Sequence, residues 1–264
     1  MTTLVFDCFS GIAGDMTIAA LLDAGAPLDA ISKGLEGLGL PPFVLSAEKV
    51  TRGGIRATYL RVRIESERTY QPPEMRAMIG AANLPPRVAQ RALSAVDWLE
   101  KGEALAHDTG QPHLHEAGGV DALIDLVGSM LALELLGVDE AACPVVTVGS
   151  GTIVRTQHGA IPAAPGPAAA HILQQAGFAL RFVESAHELV TPTGAAILAA
   201  IARPGPVTVV TTLHGAGAGT FDPPNRPNAL RVFLGERPVT LTTRELVELA
   251  ANIDDMPPSL LAHA

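Results

Sequence analysis

The sequence predicts an α/β or α+β fold, a mixed sheet with packed helices whose glycine-rich loops form the site. Three observations predict it. Apolar residues make up 48% of the 264-residue chain but aromatics only 4%, so the core is built from Ala, Leu, Val and Ile. Segments of strand and helix periodicity interleave along the chain instead of segregating. Glycine-punctuated polar segments follow several predicted strands, and binding residues gather on loops at sheet edges.

Thr3 to Phe9 is an apolar run that reads as a buried strand. Ser10-Gly11-Ile12-Ala13-Gly14-Asp15 hands it over to an Ala/Leu-rich helix from about Met16 to Ala24. A second helix is predicted from about Leu28 to Leu38. Phe43 to Val50 and Ile55 to Ile64 alternate apolar and polar residues around Thr51-Arg52-Gly53-Gly54, as a hairpin does. After a charged connection, Glu65 to Pro73, helices fill Glu74 to Ala82 and Pro86 to about His107, the second with Val88, Ala92, Ala95, Leu99 and Leu105 as its stripe. The polar segment Asp108 to Gly119 opens onto an apolar helix from about Val120 to Leu136. Beyond it, strands are predicted at Pro144 to Val148, Gly151 to Thr156, Ala179 to Glu184, Val207 to Leu213 and Ala229 to Leu234. Helices are predicted at Pro167 to Gln175 and Gly194 to Ala202.

The length suits one or two domains. Residues 1–240 read as the main domain, with a subdomain break near residue 140 as an option. Residues 241–264 read as a linker and the start of a C-terminal domain. Ser259 to Ala264 begins a helix that six residues cannot sustain, so the chain is expected to be truncated or to have a partner encoded elsewhere.

A net charge of -9 without a Lys/Arg run removes the electrostatic footprint of phosphate-backbone binding, so nucleic acid is not an expected partner. No apolar stretch reaches the ~18 residues of a membrane span, and Met1 to Phe9 lacks the basic start of a secretory signal. Cys8 and Cys143 are too few for a disulfide framework and suit a reducing compartment. The expected location is the cytoplasm. A homo-oligomer is compatible with all of this.

The densest ligand set is His113-Leu114-His115-Glu116-Ala117-Gly118-Gly119-Val120-Asp121-Ala122-Leu123-Ile124-Asp125. An extended His113 and His115 would place both imidazoles on one side, as a borderline metal requires. Asp121 and Asp125, four residues apart, share a helix face. The alternative is that Asp121 serves the helix N-terminus and the histidines are solvated loop residues. Asp7-Cys8-Phe9-Ser10-Gly11-Ile12-Ala13-Gly14-Asp15-Met16 sets an acid at a strand end and two glycines before a helix, where free N–H groups can hold a phosphate; a plain tight turn capped by Asp15 is the alternative. Cys8 is either a soft ligand or a buried small apolar residue. Gly149-Ser150-Gly151 to His158-Gly159, Thr191-Pro192-Thr193-Gly194 and His214-Gly215-Ala216-Gly217-Ala218-Gly219 read as three further loops able to approach a ligand.

These segments, with Arg226-Pro227-Asn228 and Asn252-Ile253-Asp254-Asp255-Met256 in the same order, resemble the nickel-insertion proteins of the lactate racemase cofactor pathway over nearly the whole chain. The resemblance implies a nickel insertase, a lyase-type metal chelatase. It places nickel in pyridinium-3,5-bisthiocarboxylic acid mononucleotide at the expense of CTP, which binds with Mg2+ or Mn2+. It also implies that Asn252 to Met256 opens a separate C-terminal nucleotide-binding half, so that this chain supplies the N-terminal one. Residue chemistry within it suggests that His113, His115 and Glu116 hold Ni2+, with Asp121 and Asp125 orienting them or binding Mg2+. His115 or Glu116 would be the catalytic base. Asp7, Ser10, Gly11, Gly14 and Asp15 would hold the substrate's phosphate or an accompanying divalent cation, and Thr191, Thr193 and Gly194 would join them in binding it. Two other classes compete: a nickel metallochaperone or scaffold without turnover, and a Mg-dependent phosphate-ester enzyme built on Asp7 and Asp15.

Overall fold

The computed structural model describes residues 1–107, 114, 116–150, 153–156, 159–162, 165–185 and 187–238, and residues 116, 153–156 and 159–162 in their backbone alone. In chain order the elements are β1 (Thr2–Asp7), α1 (Gly14–Asp23), α2 (Leu28–Glu36), β2 (Phe43–Arg52), β3 (Ile55–Ile64), α3 (Pro72–Ala81) and α4 (Pro86–His107). A single 3-10 turn, Glu116–Gly118, leads into α5 (Val120–Leu135). Then come β4 (Glu140–Cys143), β5 (Val146–Ser150), β6 (Ile153–Thr156), β7 (Gly159–Pro162), α6 (Pro167–Ala176), β8 (Leu180–Glu184), α7 (Pro192–Ile201), β9 (Ala202–Pro204), β10 (Val210–Ala218) and β11 (Ala229–Glu236).

The predicted mixed sheet is present. Seven strands run in the order β2-β3-β10-β11-β1-β4-β9, and two small two-stranded sheets, β5-β8 and β6-β7, accompany them. β1 pairs antiparallel with β11 and parallel with β4, so strands from both sides of residue 140 share one sheet. β10 pairs antiparallel with β11 and parallel with β3. β1, β3 and β10 therefore run in the same direction, and their carboxyl ends lie on one edge.

Helix α5 has almost no polar surface to offer. Leu123, Ile124, Leu126, Val127 and Met130 are fully buried, and the helix packs against α1, α2, α4 and α7. Its run of apolar residues on all sides is what a helix buried inside a domain requires. Among the described residues no helix is long and apolar enough to cross a membrane.

One predicted loop is a strand. His214 to Ala218 forms the second half of β10, and the preceding strand begins at Val210, not Val207. The glycines serve packing: a Cβ on Gly215 or Gly217 would overlap the carbonyl oxygens of Ala20 and Met16, so α1 lies directly on the strand backbone. Successive strand residues face opposite ways, and Ala216 and Ala218 accordingly join a separate small cluster with Ala57. β4, β7 and β9 carry no sequence prediction, because three or four residues hold too little periodicity to count.

Asp23, at the end of α1, ties the helix to the sheet. Its carboxylate pairs with Lys49 of β2 and accepts hydrogen bonds from the Thr58 hydroxyl (2.7 Å) and the Ala216 backbone N–H (2.9 Å). Burial alone would push this carboxyl up; the bonds from Lys49, Thr58 and Ala216 outweigh that and hold it below its usual range. An acid lowered in the folded state stabilises above its unfolded value and loses that contribution as pH falls through the folded one. Asp23→Ala is expected to cost about 1–3 kcal/mol at neutral pH and to leave a flatter acid limb in a pH series of thermal melts.

Candidate functional site

Where β1, β3 and β10 end, the chain encloses a cavity of about 1140 Å³. That exceeds the roughly 300–1,000 Å³ of common small-molecule sites. Ala13 to Met16 line it after β1, Leu60 and Val62 from β3, and Gly219 to Phe221 after β10. The amino ends of α1, α5, α6 and α7 reach it, through Gly14, Asp121, Pro167 and Pro192, and so does the carboxyl end of α4, through Glu103 and His107. Helix amino ends favour negative charge and carry unpaired N–H groups.

Three carboxylates share this space: Asp15 in the first turn of α1, and Asp121 and Asp125 one turn apart on α5. Gly14 lets them meet, since a Cβ there would overlap the Asp125 side chain. α1 has no side-chain cap of its own; the Asp15 backbone N–H hydrogen-bonds to the Asp125 carboxylate instead. Burial pushes the Asp125 carboxyl well above its usual range, and the negative charges of Asp15 and then Asp121 push it further. Asp15 is raised too, first by burial, with the Met16 backbone N–H (2.7 Å) opposing and Asp121 adding to the rise. Like charges gathered in a low-dielectric cleft favour taking up a cation or a proton.

Residues 4–264 match the family described as nickel insertion protein. A "Putative nickel insertion protein" of Syntrophobacter fumaroxidans is 40% identical, the alignment covering 100% of this chain and 68% of that protein. Proteins of the same name are 39% identical in Geotalea daltonii (99% and 68% covered) and 40% identical in Geobacter metallireducens (100% and 68%). The chain belongs to the nickel insertion protein family. No solved structure matches it.

In this nickel insertion family member the predicted site residues divide. Gly14, Asp15, Asp121, Asp125, Thr191 and Thr193 line the cavity together. Thr191 caps α7, accepting from the Gly194 N–H (3.1 Å) and pairing with the Thr193 hydroxyl (2.9 Å). Gly194 stands behind it, packed so closely on Ile12 that a Cβ would meet the Ile12 carbonyl carbon at 2.8 Å. Asp7, Ser10 and Gly11 do not line the cavity. Asp7 is ion-paired with Arg231, and Ser10 is buried. Gly11, at φ +89°, lies where a Cβ would overlap the Leu189 carbonyl, so it is needed for the turn. His113 and His115 lie outside the described residues, as do 239–264, and Glu116 is described in its backbone alone. Among the described residues, no group of three or more His, Cys, Asp or Glu could hold a metal ion.

Cys8 has a neighbour that the sequence does not reveal. Its sulfur lies 3.7 Å from that of Cys143, both thiols are buried, and burial followed by this contact pushes the Cys8 thiol well up. A thiol held protonated is a poor metal ligand. Further cavity residues stand in no sequence motif. Glu103 of α4 lines the cavity, while on the same helix Arg87 pairs with Glu134 and Glu100 with Arg76. His107, His187, Phe221 and Asn228 line it as well. Only Asn228 carried a sequence signal, through the Arg226-Pro227-Asn228 segment.

Proposed function

We propose that this chain carries the N-terminal, substrate-binding part of a nickel insertase that places Ni2+ in pyridinium-3,5-bisthiocarboxylic acid mononucleotide. The product is the nickel-pincer cofactor of lactate racemase, and CTP is the co-substrate. Membership of the nickel insertion family supports the metal. The observation that carries the reading is the Asp15, Asp121 and Asp125 trio in a cavity wide enough for a mononucleotide.

Nickel enters as a substrate. Asp121 and Asp125 attract it, and His113, His115 and Glu116, which precede α5 in the chain, complete its ligand set in this proposal. Metallation exchanges a ring C–H bond for a C–Ni bond and releases one proton, which His115 or Glu116 accepts. The phosphate of the mononucleotide lies by the α7 amino end, beside Thr191 and Thr193, because the first turn of that helix carries no acid. CTP with its Mg2+ or Mn2+ is assigned to sequence beyond the described residues, and the reaction to the cytoplasm.

A phosphate-ester enzyme built on Asp7 and Asp15 finds less support, since only Asp15 faces the cavity and Asp7 is neutralised by Arg231. The test mixes the chain with the mononucleotide, Ni2+, Mg2+ and CTP, and follows cofactor absorbance and CTP consumption. Turnover once a C-terminal half is added, with the mononucleotide bound by this chain, is the expected result. Ni2+ retained without mononucleotide binding identifies a nickel-presenting scaffold in its place. No absorbance with or without the C-terminal half sinks the reading.

A further inference from the structure

We infer that His187 and Phe221 form an aromatic platform that binds the positively charged ring of the substrate, a role that rests on the reading above and deepens it by naming the residues that take the ring. The two rings line the cavity with centroids 4.4 Å apart and planes tilted by 41°. Phe221 remains 39% exposed there, apolar surface that the fold leaves uncovered.

Both residues are held by their backbones, leaving the rings to face a ligand. The Asn228 side-chain amide donates to the Phe221 carbonyl at 3.0 Å, and Asn228 is itself buried, with its own carbonyl accepting from the Gly219 N–H at 3.0 Å. The Ser185 hydroxyl donates to the His187 carbonyl (2.9 Å) and accepts from its N–H (3.1 Å). A platform fixed before binding loses little entropy when a flat ring settles on it.

Charge selects the kind of ring. Asp15, Glu103, Asp121, Asp125 and Glu188 line the cavity, and no Lys or Arg is among its described lining residues. A cation over an aromatic face is attracted by the ring quadrupole, and the carboxylates add to that attraction. An aromatic cation satisfies both the platform and the acids. A neutral ring satisfies only the platform, and a bare phosphate neither.

The test compares binding of nicotinamide mononucleotide, its reduced form, whose ring carries no charge, and ribose 5-phosphate by calorimetry. The wild-type chain is expected to bind the oxidised mononucleotide most tightly and ribose 5-phosphate least. Phe221→Ala and Phe221→Leu should each weaken the oxidised form about 10-fold or more and leave ribose 5-phosphate unchanged, while Phe221→Tyr retains wild-type affinity. Thermal melts identify a variant that has lost its fold, and the leucine variant keeps apolar bulk without a π face. Unchanged affinity in folded Phe221→Ala and Phe221→Leu overturns the platform while leaving the insertase reading intact. Wild-type protein that binds none of the three overturns both.

Discussion

Gly217→Val is expected to lower the stability of the fold by about 3 kcal/mol or more, at the upper end of what overpacking costs. The new Cβ would overlap the Met16 carbonyl oxygen and stand 2.5 Å from the Ala20 nitrogen. Both are backbone atoms of α1, which cannot rotate aside as a side chain can, so the helix must lift off the sheet. α1 also delivers Asp15 to the cavity at its amino end and is tied to the sheet by Asp23 at its carboxyl end. The defect therefore reaches the site. Urea unfolding reads the effect as a lower midpoint, and ligand binding should weaken in parallel. Gly80→Ala is the control: that glycine is exposed in α3 with nothing near its Cβ position, and alanine there should stabilise slightly. Equal midpoints for Gly217→Val and the wild type would mean that α1 does not rest on β10.

Asp125→Asn is expected to cut nickel insertion by about 10- to 100-fold, the range found when a group supporting a metal is removed, while making the protein more stable at neutral and higher pH. The sign follows from the raised carboxyl. The folded state keeps its proton on Asp125 where the unfolded chain, with a value near 3.8, has already released it. Stability therefore falls as pH rises from that value to the raised folded one, and stays at the lower level above it. Asparagine removes the charge and can still accept from the Asp15 N–H. Its melting temperature should vary less with pH over that interval. If Asp125 serves only to cap α1, the variant keeps full insertion activity, and that result would remove Asp125 from the proposed chemistry.

The two variants probe different kinds of information. Asp121 and Asp125 were legible as a pair because four residues on a helix place two side chains on one face, a consequence of local geometry. Gly14 and Asp15 were legible as a strand-to-helix turn for the same kind of reason. Nothing local joins Asp15 to Asp125, which are separated by more than a hundred residues. Their meeting depends on α1 and α5 packing together and on Gly14 admitting the second carboxylate. The reading of His214 to Gly219 as a loop failed over His214 to Ala218 for a related reason. Glycine repeats mark either a turn or a close backbone approach, and only the position of α1 distinguishes them.

His187 and Phe221 stood in no motif, since a lone histidine and a lone phenylalanine look like any exposed residue until the loops that carry them are brought within 4.4 Å. By itself, the sequence determined the mixed α/β class, the order of the longer helices and strands, and the family, because periodicity and ordered motifs are properties of the chain. Only the tertiary structure decided which acids share a cavity, that Asp7 is neutralised by Arg231, and which aromatics face the space between them. Those facts depend on contacts between residues far apart in the chain, and such contacts exist only once strands ending at one edge of the sheet bring their loops together.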